Sequence, residues 1–238
     1  MPFKPLTKTA LAKKPTLSAE DSAAEAEVAA FQTPAEIIET TTERIRIIFD
    51  DSGSMGSFVT DEQGKSKPAS ELAAEGTIDY MKSCTPKSTA IGIAFLNAPA
   101  LPLTRNIPKL APEVKAMAAN GGGTPLFGAL RNLVQAQPIH KYTRALIFTD
   151  GQATDGYSFD IVKLMGDVQE LGIPIDLILI GNFTVASLSP DHRTLKNLCE
   201  TTKGTFLICK DGAIFKAKLK YFAPPLRYML PQIASKET

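Results

Sequence analysis

The stretch RIIFDDSGSMGSF, Arg46 to Phe58, decides how this chain is read. An apolar run stops at two adjacent aspartates, Asp50 and Asp51, and small hydroxyl residues, Ser52 and Ser54, follow at every second position. The run has the character of a buried strand, so the polar group stands at a strand's carboxyl end. Three kinds of site look like this: a nucleophilic carboxylate, a nucleophilic serine, or a set of oxygens holding a metal.

From Arg44 onward, short apolar runs alternate with helical periods. RIRIIFD (44–50), TAIGIAFL (89–96), RALIFTD (144–150), PIDLILIG (174–181) and GTFLICK (204–210) are rich in Ile, Leu and Phe and bounded by Gly, Pro or Asp, as buried parallel strands are. Ala69, Leu72, Ala73, Gly76 and Tyr80 share one helical face, as do Leu126, Ala129, Leu130, Leu133 and Val134. A third face carries Ile161, Leu164, Met165, Val168 and Leu171 before Gly172 and Pro174. A fourth carries Leu195, Leu198 and Cys199 before Gly204. Strand then helix, repeated, predicts a doubly wound, Rossmann-like α/β domain: a mostly parallel sheet with helices on both faces. ALPLTRN (100–106) follows its predecessor after only a brief turn, so it is expected to pair antiparallel at one edge. In such sheets, sites form at the strands' carboxyl ends near a topological switch point.

Composition narrows the function classes. A chain of 238 residues, 44% hydrophobic, can bury a full core as one main domain with an appendage. Lys and Arg total 26 against 25 Asp and Glu, so no global field points to nucleic acid or an anionic membrane. A protein or small-ligand partner is expected instead. Cys84, Cys199 and Cys209 lack metal-type spacing and suit reduced thiols. The N-terminus has lysines but no apolar core of a signal peptide, and no apolar run approaches the ~20 residues of a membrane span. The expected location is the cytoplasm. Residues 1–43 read as an arm, Lys/Pro-rich and then acidic and Ala/Glu-rich, either loosely packed or docking onto a partner or the basic cluster Lys216, Lys218, Lys220 and Arg227. Residues 44–222 form the expected domain and 223–238 a tail.

The first strand delivers Asp50, Asp51, Ser52 and Ser54, and RALIFTD delivers Thr149 and Asp150. Between them, NGGGTPLFGAL brings three glycines, then Thr124, with Pro125 suited to the first turn of a helix. Each residue also has a purely structural reading. Ser52 or Ser54 can cap a helix or stabilise a turn, Thr124 can be an N-cap, and Asp150 before Gly151 can be a turn residue. Their coincidence on one rim favours a site, because separate caps need no pair of strand-end carboxylates facing them.

A phosphoaspartyl hydrolase of the haloacid dehalogenase type needs a second carboxylate where this chain has Ser52. SGSMG (52–56) misses the G-x-S-x-G nucleophile elbow by one residue, although Ser54, then Asp150 or Asp176, then His192 follow the α/β-hydrolase order. His192 reads as an exposed first-turn residue and His140 as a loop residue. GGGTP lacks the lysine of a phosphate-binding loop. An oxygen-only set suits a hard divalent cation: Ser52, Ser54 and Thr124 offer neutral oxygens, and Asp50 and Asp150 can hold coordinated water. A cation held mostly by neutral ligands keeps much of its charge and seeks an anionic oxygen from outside.

Asp50-x-Ser52-x-Ser54, Thr124 after a glycine-rich loop and Asp150 in FTDG resemble the metal-ion-dependent adhesion site (MIDAS) of von Willebrand factor type A (vWA) domains. The resemblance spans residues 44 to 222. It implies a six-stranded sheet with one antiparallel edge strand and Mg²⁺ or Mn²⁺ at the site. Ser52, Ser54 and Thr124 would be direct ligands, with Asp50 and Asp150 acting mainly through water. It further implies a stand-alone prokaryotic or phage binding module, not an enzyme, that captures a partner's Asp or Glu. Some similar proteins work with AAA+ ATPases of the MoxR type or in tellurite-resistance and stress systems. The remaining readings are a structural subunit whose metal site is incidental, and a hydrolase using Ser54.

Two features depart from the pattern. Asp51 occupies a place more often neutral or basic, and alternation along the strand should turn it away from the metal. GSFVTDEQGKSKP (56–68) is long and polar and borders the metal face, as a specificity loop or a disordered insert. The last helix, DGAIFKAKLKYF, is expected to pack through Ile214, Phe215, Leu219 and Phe222, and in several vWA domains the corresponding helix shifts when ligand binds.

Overall fold

The computed structural model describes residues 37, 41–61, 63–84, 88–117, 121–151, 153–219 and 222. Eight strands are present among them: β1 (Glu43–Phe49), β2 (Phe58–Thr60), β3 (Ser66–Pro68), β4 (Thr89–Phe95), β5 (Leu101–Thr104), β6 (Arg144–Thr149), β7 (Ile175–Ile180) and β8 (Phe206–Cys209). The α-helices are α1 (Ala69–Ser83), α2 (Ile107–Met117), α3 (Leu126–His140), α4 (Ile161–Glu170), α5 (Pro190–Thr201) and α6 (Gly212–Leu219). Six strands form one sheet in the order β5-β4-β1-β6-β7-β8, parallel except for β5, which runs antiparallel to β4 at the edge. The fold is therefore the expected doubly wound α/β arrangement with one antiparallel edge strand.

Alternation along β1 divides the core. Ile45, Ile47 and Phe49 face a cluster with Leu72 of α1, Leu110 and Val114 of α2, and Phe215 and Leu219 of α6. Ile48 faces the other side, with Leu126 and Leu130 of α3, Leu164 and Val168 of α4, and Leu195 and Leu198 of α5. Successive strand residues point to opposite faces, so a continuous apolar strand needs helices on both. The chain leaves β1 for β4 on one side and later returns to β6 on the other. The switch point thus falls beside β1, at the carboxyl end where Asp50 stands.

Close packing explains Gly76. A Cβ there would lie 1.8 Å from Cε1 of Phe215, so α1 and α6 meet with no side chain between them. Gly204 has a different role from the expected helix stop. Lys203 takes the left-handed turn at φ 59°, and a Cβ on Gly204 would stand 1.8 Å from the Ile175 carbonyl oxygen. The glycine serves a close backbone approach.

One helix goes beyond the sequence reading, and two local expectations are corrected. Residues 107–117, which carry Pro108 and Pro112, form α2; Ile107, Leu110 and Val114 recur at helical spacing and are buried, and that burial outweighs the proline inside the helix. Phe58–Thr60 and Ser66–Pro68 pair antiparallel as β2 and β3 in a hairpin, so this segment is not a disordered insert. Asp61 accepts from the Gln63 and Lys65 backbone amides across its turn, and Lys67 pairs with Glu75 of α1 at 3.0 Å. His140 ends α3 instead of lying in a loop.

Ile37 is buried on the α3 side of the sheet. The rest of the acidic arm before Thr41, and the side chains of Lys216, Lys218, Lys220 and Arg227, its expected dock, lie outside the described residues. Cys84, Cys199 and Cys209 are buried and form no disulfide among the described residues. No helix among the described residues is long and apolar enough to cross a membrane.

Candidate metal-binding rim

Asp50 leaves the end of β1 fully buried, and two donors meet its carboxylate. The Ser52 backbone N–H donates to Oδ1 at 2.9 Å, and the Thr149 hydroxyl at the end of β6 donates to Oδ2. Ser52 and Ser54 place their hydroxyl oxygens 3.0 Å apart, and Ser54 Oγ donates to Asp150 Oδ1 at 2.9 Å. Ser54 has one proton, so Ser52 is the donor between the two serines. The hydroxyls and the carboxylate form a relay along the rim.

Thr124 joins the same group. A Cβ placed at Gly151 would lie 3.3 Å from Ser54 Oγ and 3.5 Å from Thr124 Oγ1, so both hydroxyls flank one point beside Asp150. The structural readings of these hydroxyls are not met. Ser52 precedes a short 3-10 turn (Gly53–Gly56) without a side-chain cap bond. The amino end of α3 is capped from a distance: Asp155 accepts from the Gly128 N–H at 2.7 Å and the Phe127 N–H at 3.3 Å. Thr124 is therefore not needed as a cap, and its hydroxyl makes no hydrogen bond among the described residues.

Electrostatics agree with a site short of positive charge. Burial raises the Asp50 carboxyl above its ordinary value, against the lowering effect of the Ser52 and Thr149 hydrogen bonds. Burial also pushes Asp150 up to about 6; the Asp50 charge adds to this and the Ser54 hydrogen bond opposes it. Because the folded value exceeds the ordinary 3.8, Asp150 contributes stability that is full below that value and lost as pH rises through about 6. A cation at this rim would relieve that loss. Its stabilising effect should therefore be larger at pH 7.5 than at pH 5, which thermal melts with and without Mn²⁺ at both pH values check.

Asp51 turns away from this group, as alternation requires. Its Oδ1 accepts from the Asn97 backbone N–H at 2.8 Å and from Asn97 Nδ2 at 3.2 Å. His192 is buried, correcting the expectation of an exposed first-turn residue. Its Nε2 meets the Gly151 carbonyl at 2.9 Å and its ring packs edge-on against Phe183. The Ser54–His192 hydrogen bond that a serine nucleophile would use is not formed; Ser54 is committed to Asp150.

Asn97, Thr154, Asp155 and His192 support the site without being recognisable as such in the sequence. Thr154 accepts from the Thr124 N–H through its hydroxyl and donates its own N–H to the Thr124 carbonyl, both at 2.9 Å. The dense polar run GQATDG after FTD is the one signal that points to Thr154 and Asp155; Asn97 carries none.

The sheet order and the antiparallel edge define a vWA-like α/β fold. Solved structures agree on the fold. The vWF domain of the type V pili tip protein Mfa5 from Porphyromonas gingivalis matches with a TM-score of 0.56 at 12% identity, over 79% of this chain and 96% of that one. BatB from Bacteroides thetaiotaomicron matches with a TM-score of 0.57 at 15% identity, over 76% and 97%. An aerotolerance-related membrane protein from Bacteroides fragilis matches with a TM-score of 0.58 at 14% identity, over 79% and 100%. No protein-family model and no curated protein matches the chain. At these identities the likeness establishes the fold alone.

Proposed function

We propose that this chain is a divalent-cation-dependent protein-interaction module, cytoplasmic and not catalytic, whose rim takes an acidic side chain of a partner. The observation that carries the reading is the rim on which Ser54 contacts both Ser52 and Asp150 and shares one flanked point with Thr124, with Asp50 buried at the end of β1. The donor set is oxygen only, which fits Mg²⁺ or Mn²⁺ and not a soft metal. No group of three His, Cys, Asp or Glu side chains suited to a metal occurs among the described residues, so the hydroxyls are essential to this reading.

Ser52, Ser54 and Thr124 would hold the ion, with Asp50 and Asp150 fixing its water. When bound, the ion supplies a positive charge that neutral hydroxyls leave largely uncompensated. The partner's Asp or Glu then completes the site. Asp50 orients the Ser52 loop through the Ser52 amide and ties it to β6 through Thr149. The hairpin of β2 and β3 stands next in sequence to this loop and presents Phe58, 70% exposed. It is the element best placed to select partners. An AAA+ ATPase of the MoxR type is one candidate class.

A pull-down from the host tests the reading, with wild type and Thr124→Ala compared in Mg²⁺ and in EDTA. A partner retained only by wild type in Mg²⁺ is the expected result. A partner retained equally by all four samples would sink metal-dependent capture and favour a structural subunit.

A further inference from the structure

We infer that Asn97, held by Asp51, is a positioning residue for Thr124 and sets the cation affinity of the rim without touching the cation. The inference rests on the cation reading proposed for the rim. Asp51 is fully buried at the end of β1, and its Oδ1 takes both the backbone N–H of Asn97 and its Nδ2. Asn97 Nδ2 also donates to the Gly123 carbonyl at 2.9 Å, the peptide unit that leads into Thr124. Both acceptors lack protons to give, so the orientation of the Asn97 amide is determined by its partners.

The glycine loop is shaped around this side chain. Gly122 sits at φ +106°, and a Cβ there would lie 2.6 Å from Asn97 Oδ1. The Gly122 carbonyl accepts from the Gly53 N–H at 3.1 Å, and the Gly121 N–H donates to the Asp51 carbonyl at 3.0 Å. Upstream of Thr124, three hydrogen bonds therefore tie the glycine loop to the ends of β1 and β4. Downstream, Thr154 holds both the N–H and the carbonyl of Thr124. These bonds fix the backbone of Thr124, and with it the point from which its stiff β-branched side chain reaches the rim. Asn97 is exposed, so replacing it leaves no cavity and should not unfold the chain.

The test uses the full chain and Mn²⁺ as the probe, with affinity measured by titration calorimetry for wild type, Asn97→Ala, Thr124→Ala and the double variant. Ala keeps the backbone N–H that donates to Asp51, removes the side-chain amide that donates to Asp51 and Gly123, and leaves the charge of the rim unchanged. Loss of an outer-shell partner typically costs 10–100-fold in metal affinity. Asn97→Ala should therefore weaken Mn²⁺ binding about 10-fold in the wild-type background and by less than about 2-fold when Thr124 is already alanine. Exchange of the Gly121, Gly122, Gly123, Thr124 and Leu126 amides in EDTA should also accelerate in Asn97→Ala, a readout that needs no metal. Equal losses in both backgrounds would mean that Asn97 acts by a route other than Thr124 and would overturn the inference. Unchanged affinity in Asn97→Ala beside normal wild-type binding overturns it too, leaving the cation reading intact. Absence of Mn²⁺ binding by the wild type overturns both.

Discussion

Mg²⁺ or Mn²⁺ at ~100 times its dissociation constant should stabilise the wild-type chain by about 2.7 kcal/mol, and Asp50→Ala should abolish that gain. For a chain of this size the gain corresponds to roughly 5–10 °C in Tm. Asp50 is fully buried, and burial already raises its carboxyl. Its removal takes away a negative charge behind the hydroxyls and frees the Ser52 amide and the Thr149 hydroxyl that it holds. The variant will also be less stable in EDTA, because two buried donors lose their acceptor. The informative quantity is therefore the metal increment within each protein, not the absolute Tm. An undiminished increment in Asp50→Ala would place the cation elsewhere on the molecule. No increment in either protein would move the structural-subunit reading to the front.

Arg144→Ala should cost about 3–5 kcal/mol in urea unfolding. Arg144 opens β6 at the pole opposite the rim. Its Nε donates to Asp176 Oδ2 at 2.6 Å, and Nη1 donates to the Phe222 carbonyl at 2.6 Å. Its guanidinium also stands 5.3 Å from the Phe222 ring centre. The Arg144 side chain is 8% exposed and that of Asp176 0%, so solvent cannot replace the lost partner. The Thr205 N–H also donates to Asp176 Oδ1 at 2.9 Å. The cost comes mainly from taking the guanidinium away from a buried carboxylate and less from the pair itself. Arg144→Met with Asp176→Leu should accordingly recover most of the loss, since an apolar replacement of a buried pair is often neutral. If the double variant is as unstable as Arg144→Ala, then lost anchoring of Phe222, and not the broken ion pair, accounts for most of the cost.

Much of the fold is legible in the sequence because it depends on local pattern. Apolar runs mark the five parallel strands to within a residue or two, and the shortness of its connection marks ALPLTRN as the antiparallel edge. The β2–β3 hairpin is not legible because its strands are short and polar, and what orders it is the Asp61 turn and the Lys67–Glu75 pair to α1. Two prolines obscure the period of α2, while burial of Ile107, Leu110 and Val114 holds it. His192 looks exposed because it opens a helix, yet its ring nitrogen has the Gly151 carbonyl from another loop. In each case the deciding contact joins segments distant in sequence.

The sequence by itself determined the alternation of strand and helix, and so the strand ends on which Asp50, Ser52, Ser54 and Asp150 stand. Side-chain period and residue type are local properties, readable without a partner. The tertiary structure alone decided which oxygens meet. Ser54 reaches Asp150 only because β1 and β6 are neighbours in the sheet. Thr124 is released from capping duty only because Asp155 comes over from the loop after β6 to cap α3. Asn97 holds the glycine loop only because β4 lies on the other side of β1. These contacts follow from strand order, which long-range packing selects and no local period encodes.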